Sequence, residues 1–225
     1  MCIRDRQVGV SEIFGYILLF GMVTLLLSLI YIQAMPQIHK HEDYANMRSV
    51  EGIFMSLKDH VRMVAFNVTP SKVVSLRVNK GSVYTIEVAN VTWKNSTDVY
   101  STNMSALVYE LGSMKIYLFC GAVIECYGRE CVVVANPPFV ESYVPIVDLS
   151  GFVSFTGFQS LALKNNGTKL YDNAEWVNFT FKDLGLAKAW NDGLRDIGFS
   201  FNPSSNRSIN ITLNGILTYH EVKID

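Results

Sequence analysis

Eight of the sixteen asparagines stand in Asn-x-Ser/Thr with x not proline: Asn67, Asn90, Asn95, Asn103, Asn166, Asn178, Asn206 and Asn210. The side-chain amide nitrogen in that setting is a glycan acceptor on a chain exposed to the exterior. Serine and threonine fill 30 of 225 positions, so roughly two sequons would arise by chance, and the excess points to a glycosylated outer surface. A set of turns rich in Asn, Ser and Thr is the alternative. Cysteine offers a second chemistry. Cys126-Tyr127-Gly128-Arg129-Glu130-Cys131 places two cysteines about a turn between Ala122-Val123-Ile124 and Val132-Val133-Val134. A Cys126–Cys131 disulfide would clamp such a hairpin outside the cell, leaving Cys120 unpaired. Three buried thiols are the alternative.

Catalytic groupings are scarce. The cysteines lack a CxxC pair and companion ligands, so no metal is expected. His39 and His41 lie two apart, about 200° around a helix, which suits a solvated turn better than a metal pair. His60 and His220 come without a Ser or Cys nucleophile elbow, and no Walker loop, GxGxxG, HExxH or GxSxG occurs. The expectation is a non-enzyme with no cofactor. With 19 basic and 20 acidic residues and a formal charge of -1, no basic patch argues for nucleic acid.

The element that positions everything else is Ile13 to Ile32, twenty residues without a formal charge, interrupted only by Thr24 and Ser28. That length crosses a bilayer. Arg4 and Arg6 precede it, whereas Glu42 and Asp43 follow and offset Lys40, so the positive-inside bias puts the N-terminus in the cytoplasm and the rest outside. A cleaved signal peptide is the competing reading, but Gln33-Ala34-Met35-Pro36 matches a small-x-small site poorly. Glu12 sits at the cytoplasmic mouth, where a carboxylate would be disfavoured by roughly 2.5 to 3.5 kcal/mol if it moved to the bilayer centre. Either Ser11 caps the helix and Glu12 favours its positive end, or Glu12 meets a positive group such as a free amine when subunits pack.

Pro36 should break or kink the helix. Beyond it Met47, Val50, Phe54, Leu57, Val61 and Val64 repeat at three and four, the stripe of an amphipathic helix laid on a core, ending before Pro70. Short β-like runs follow: Val73–Val78, Val83–Val88, Ala106–Leu111, Met114–Ile124, Val132–Ala135, Val153–Leu163 and Trp176–Phe181. Lys182–Leu194 suits a short helix, and Ile209–Leu213 and Ile216–Ile224 suit a hairpin about Asn214-Gly215. In two of these runs sequons alternate with core positions, Val177, Phe179 and Phe181 against Asn178, and Ile209 and Ile211 against Asn210. Asn90 shares parity with Ile86 and Val88, so an outward Asn90 requires a strand end or a bulge. The fold class is α+β: a long N-terminal helix, membrane-spanning in its first half and amphipathic in its second, packed on a mostly antiparallel sheet or sandwich. The divisions are a leader at 1–9, an apolar helix at 10–35, an amphipathic helix at 36–69 and an outer β-rich domain at 70–225.

Gly9-Val10-Ser11-Glu12-Ile13-Phe14-Gly15-Tyr16-Ile17-Leu18-Leu19 resembles the N-terminal signature of archaeal type IV pilin-like and archaellin-like proteins. The likeness covers about the first 35 residues and, more loosely, the helix and β domain that follow. It implies a leader removed by a prepilin peptidase between Gly9 and Val10, leaving Val10 as the new amine with Glu12 two residues on as an assembly residue. It also implies apolar helices that self-associate, or associate with other pilin-like subunits, into a filament with β domains outside for adhesion. The family usually has Lys or Arg before the small residue, where this chain has Val8. Met1-Cys2-Ile3-Arg4-Asp5-Arg6 looks like a translated adaptor, so the natural leader is expected to differ. An uncleaved, single-pass surface glycoprotein or binding module is the alternative function.

Overall fold

A computed structural model of the chain describes residues 5–96, 98–199, 201–205 and 207–225, without the side chains of 5–12, 201–205 and 214. Contacts divide it into two units, residues up to Ala45 and Asn46–Asp225. One helix, α1 (Asp5–Ala65), contributes residues to both. The helix is not broken at Pro36, which lies inside it. An interior proline costs about 3 kcal/mol, and the Gln33-Ala34-Met35 and Gln37 that flank it are good helix formers, so the helix propagates past the lost hydrogen bond.

The second unit opens with the last turns of α1, where Met47, Val50, Phe54, Leu57, Val61 and Val64 are all buried, as their spacing predicts. Asn165 closes this helix by donating its Nδ2 to the carbonyls of Val64 at 3.1 Å and Ala65 at 3.2 Å, groups that a helix end otherwise leaves unpaired. The elements that follow are β1 (Ser71–Asn95), β2 (Asp98–Leu111), β3 (Met114–Phe119), β4 (Ala122–Tyr127), β5 (Glu130–Ala135), β6 (Tyr143–Ser150), β7 (Ser154–Phe181), α2 (Leu184–Asp196), β8 (Phe201–Ser205) and β9 (Ser208–Ile224). They form a nine-stranded sheet in the order β5-β4-β3-β2-β1-β7-β9-β6, with β8 on β9. Most pairs are antiparallel, and β6 runs parallel to β9.

The β1–β7 contact has an unusual register. Ser71–Val78 pairs with Gly157–Lys164, and Ala89–Asn95 pairs with Ala174–Phe181. Partner numbers fall within each segment, so locally the strands oppose one another, while the two segments follow in the same order along both chains. Tyr84 lies opposite Ser154 and Ala89 opposite Phe181, so the two ends of β7 meet near the middle of β1 and both strands must bend. Each long strand thereby serves two cores. Leu76 and Val78 of β1, Leu161 and Leu163 of β7, and Val222 and Ile224 of β9 join the stripe of α1 in one core. Val91 and Trp93 of β1, Val177 and Phe179 of β7, and Ile209 and Ile211 of β9 join Trp190 and Leu194 of α2 in the other.

These bends account for the elements whose boundaries differ from the sequence reading. Val73–Val78 and Val83–Val88 belong to one strand, because Gly81 (φ 84°) makes a corner: a Cβ there would lie 2.5 Å from the Glu110 carbonyl oxygen. Val153–Leu163 and Trp176–Phe181 are likewise two parts of β7. The hairpin about Asn214-Gly215 does not form, and β9 runs through both residues. Gly215 is needed for closeness: a Cβ there would stand 2.1 Å from the Ser142 carbonyl oxygen, which accepts the Ile216 N–H at 2.9 Å. Met114–Ile124 instead splits into β3 and β4, because Cys120 (φ 47°) and Gly121 (φ 75°) are both left-handed, as a two-residue hairpin turn requires.

Candidate functional site

In the first unit every residue from Ile13 to Ile32 is exposed, and the large hydrophobic side chains are between 45% and 74% accessible. The two aliphatic hydroxyls in the stretch, those of Thr24 and Ser28, make no demand on a polar surrounding. Thr24 donates to the Phe20 carbonyl, and Ser28 donates to the Thr24 carbonyl at 2.7 Å, which satisfies each within the helix. Length and composition suffice to cross a membrane. The backbone of Gly9, Val10 and Glu12 lies in α1, but their side chains, like Cys2 and Asn206 as a whole, lie outside the described residues.

The sequons fall on the second unit. Val177, Phe179, Phe181, Ile209 and Ile211 are buried, while Asn178 and Asn210 between them are half-buried and Thr180 and Thr212 exposed. The expected alternation is present on both strands. Asn90 reaches the outer face by a bulge: the β1–β2 register slips between Glu87 and Ala89, so Val88 and Ala89 are buried in succession and the side-chain phase inverts. Asn103 and Asn166 are exposed on strands, Asn67 is exposed just after α1, and Asn95 is half-buried at the end of β1.

Cys126 and Cys131 lie directly opposite one another across β4 and β5 and are joined by a disulfide. Cys120 is a buried free thiol whose pKa burial pushes up to about 12. The clamped hairpin carries α2, which begins at Asp183, whose carboxylate accepts the Leu186 N–H at 3.0 Å. Gly193 permits the approach, since a Cβ there would lie 2.8 Å from Val133.

The histidines are dispersed. His39 and His41 are exposed, His39 lying 3.7 Å from Glu42, and His60 is 3.5 Å from the Ser56 hydroxyl. His220 is buried between the hydroxyls of Thr168 at 3.1 Å and Thr218 at 3.0 Å, and burial pushes its pKa down. Asp148 is buried too, which raises its pKa against the opposing effect of the Tyr219 hydroxyl that donates to it at 2.7 Å. Tyr219 and His220 are consecutive on β9 and point to opposite faces, so Asp148 and His220 form no acid–base pair. Among the described residues no group of three or more His, Cys, Asp or Glu is placed to hold a metal.

Glu125 escapes a reading by motif. It is 6% exposed, on the same side of β4 as the core residue Val123, and Arg48 and Glu51 of α1 act on it electrostatically. An acid at a core parity, Val123-Ile124-Glu125, is the signal that finds it.

A helix apolar on every side and long enough to span a membrane, together with a mostly antiparallel β domain stapled by one disulfide, defines the class of protein. Within that class the chain belongs to DUF7289, a family of unknown function that matches it over residues 9–225. No curated protein matches it, and neither does any solved structure.

Proposed function

We propose that this chain is a pilin-like structural subunit of the cell surface, which polymerises through its apolar helix and displays a glycosylated β domain for adhesion or surface contact. The observation that carries this reading is the uninterrupted exposure of Ile13–Ile32, in which Thr24 and Ser28 bond back to the helix's own carbonyls. Such a surface needs lipid or neighbouring helices around it. Gly15 and Gly21 have nothing within 4 Å of an added Cβ, so neighbouring helices can approach closely at both. In this reading the N-terminus is cytoplasmic and the β domain extracellular. A prepilin peptidase hydrolyses the Gly9–Val10 bond, and Glu12 pairs with the amine of Val10 in the assembly. The family match begins at Gly9, the residue before that bond, which fits a shared mature start.

The test is the N-terminus of the protein recovered from cells. Mass spectrometry should find a chain beginning at Val10, and a chain that retains Gly9 and its leader would overturn assembly by this route. Val8, where a basic residue is usual, favours the second reading, an uncleaved single-pass surface glycoprotein. The same measurement separates the two.

A further inference from the structure

Four of the sequon asparagines lie on one face of the sheet, in two rows that cross it. One row runs Asn103 (β2), Asn90 (β1), Thr180 (β7), Ser208 (β9), and the next runs Ser101, Thr92, Asn178, Asn210 across β2, β1, β7 and β9. Behind these strands lies the core that contains Val91, Met104, Phe179 and Ile211. Six residues of these rows bond to one another. Asn90 Nδ2 donates to Asn103 Oδ1 at 2.8 Å, and Asn90 Oδ1 accepts from the Ser101 hydroxyl at 3.2 Å. Asn178 Nδ2 donates to the hydroxyl of Thr180 at 3.2 Å, and its Oδ1 accepts from Ser208 at 2.7 Å. Thr180 is the hydroxyl residue of Asn178's own sequon, so both recognition groups are held by the sheet. Asn210 is half-buried, with its Oδ1 enclosed and without a hydrogen-bond partner. Asn103 differs from these three. It is exposed and engages the network through its oxygen, which turns its amide nitrogen away from Asn90.

We infer that on this face the glycan goes to Asn103 alone, that Asn90 and Asn178 remain unmodified members of a cross-strand hydrogen-bond ladder, and that the half-buried Asn210 beside them remains unmodified too. The inference rests on the extracellular, glycosylated reading above and narrows it. Transfer joins Nδ2 to C1 of a sugar carried on a lipid phosphate. The C–N bond forms as the C–O bond to phosphate breaks, the lipid phosphate leaves with the bonding pair, and one amide proton passes to solvent. Asn103 Nδ2 can meet such a donor from the open side. At Asn90 the same nitrogen points along the sheet at Asn103, and directly opposite Cβ atoms are only about 4.5–5.5 Å apart, which leaves no room for a pyranose between the two side chains.

Glycopeptide mass spectrometry of the full chain purified from its native cells tests this, with chymotrypsin cleavage at Tyr100 separating Asn95 from Asn103. A sugar mass on the Asn103 peptide, with Asn90, Asn178 and Asn210 bare, is the expected result. Sugar on any of those three, or a bare Asn103 beside a glycosylated Asn67 or Asn166, overturns the inference and leaves the surface reading standing. Eight bare sequons overturn both. In a parallel measurement, N103Q should remove one glycan mass. N90A should leave the glycan mass unchanged and lower Tm by about 2–4 °C, and an unchanged Tm in N90A would refute the ladder.

Discussion

Glu125→Gln should stabilise the protein at neutral and alkaline pH and leave it unchanged in acid. The Glu125 carboxyl faces Arg48 and Glu51 from α1 and Tyr127 from its own strand. One of its oxygens, Oε1, is buried without a hydrogen-bond partner, and Oε2 accepts from the Tyr127 hydroxyl at 3.4 Å. Burial first, and the neighbouring Glu51 carboxylate second, hold its pKa above the ordinary carboxylate range against the pull of Arg48. A carboxyl whose folded pKa exceeds its unfolded value, about 4.3, contributes stability that is fully present below that unfolded value and is lost as pH rises through the folded one. Glutamine has the same size, never ionises and presents an N–H to Glu51. Relieving one poorly paired buried acceptor is worth about 1 kcal/mol, or about 2–4 °C in Tm for a domain of this size. Thermal melts of the full chain in detergent, followed by circular dichroism at pH 4, 6 and 8, should show the wild type losing Tm with rising pH and the variant holding it. A parallel decline in the variant, or a variant less stable than wild type at pH 8, would refute the reasoning.

Three other variants probe the packing. Replacing both Cys126 and Cys131 by serine opens a loop with a sequence separation of 5; the chain-entropy relation gives a loss of about 2 kcal/mol, readable as a lower denaturant midpoint. Phe54→Ala empties a fully buried position under α1 and should cost about 3–5 kcal/mol by equilibrium unfolding. Gly215→Ala sets a methyl against the Ser142 carbonyl; a loss of more than about 1 kcal/mol is expected, whereas a neutral result would mean that β6 and β9 separate freely at that point.

The stripe of α1 was legible because its six positions obey a single period, and each of them is buried. The Cys126–Cys131 clamp was legible from two cysteines around a short turn between apolar runs, although the turn is two residues rather than four, because Tyr127 and Glu130 also pair. For an outward Asn90, parity required a strand end or a bulge, and the register slip between Glu87 and Ala89 is the bulge. The reversals were read less well, because glycine marks a tight place without saying which kind. At Lys80-Gly81 and Asn214-Gly215 the tightness comes from a neighbouring carbonyl, so the strand continues, while at Cys120-Gly121 a true turn hides behind a cysteine. The accommodation of Glu125 by Arg48, Glu51 and Tyr127 depends on how α1 lies over β4, a long-range fact that no local pattern contains.

The paired use of β1, β7 and β9 also bears on how the β domain comes apart. Each of these strands is a wall of the core under α1 along one stretch and of the core under α2 along another, so neither core can open without pulling backbone hydrogen bonds from strands that the other still requires. Amide protons behind Phe54 and behind Trp190 should then exchange through the same global event, with one shared free energy. Damage at either end lowers protection throughout the domain.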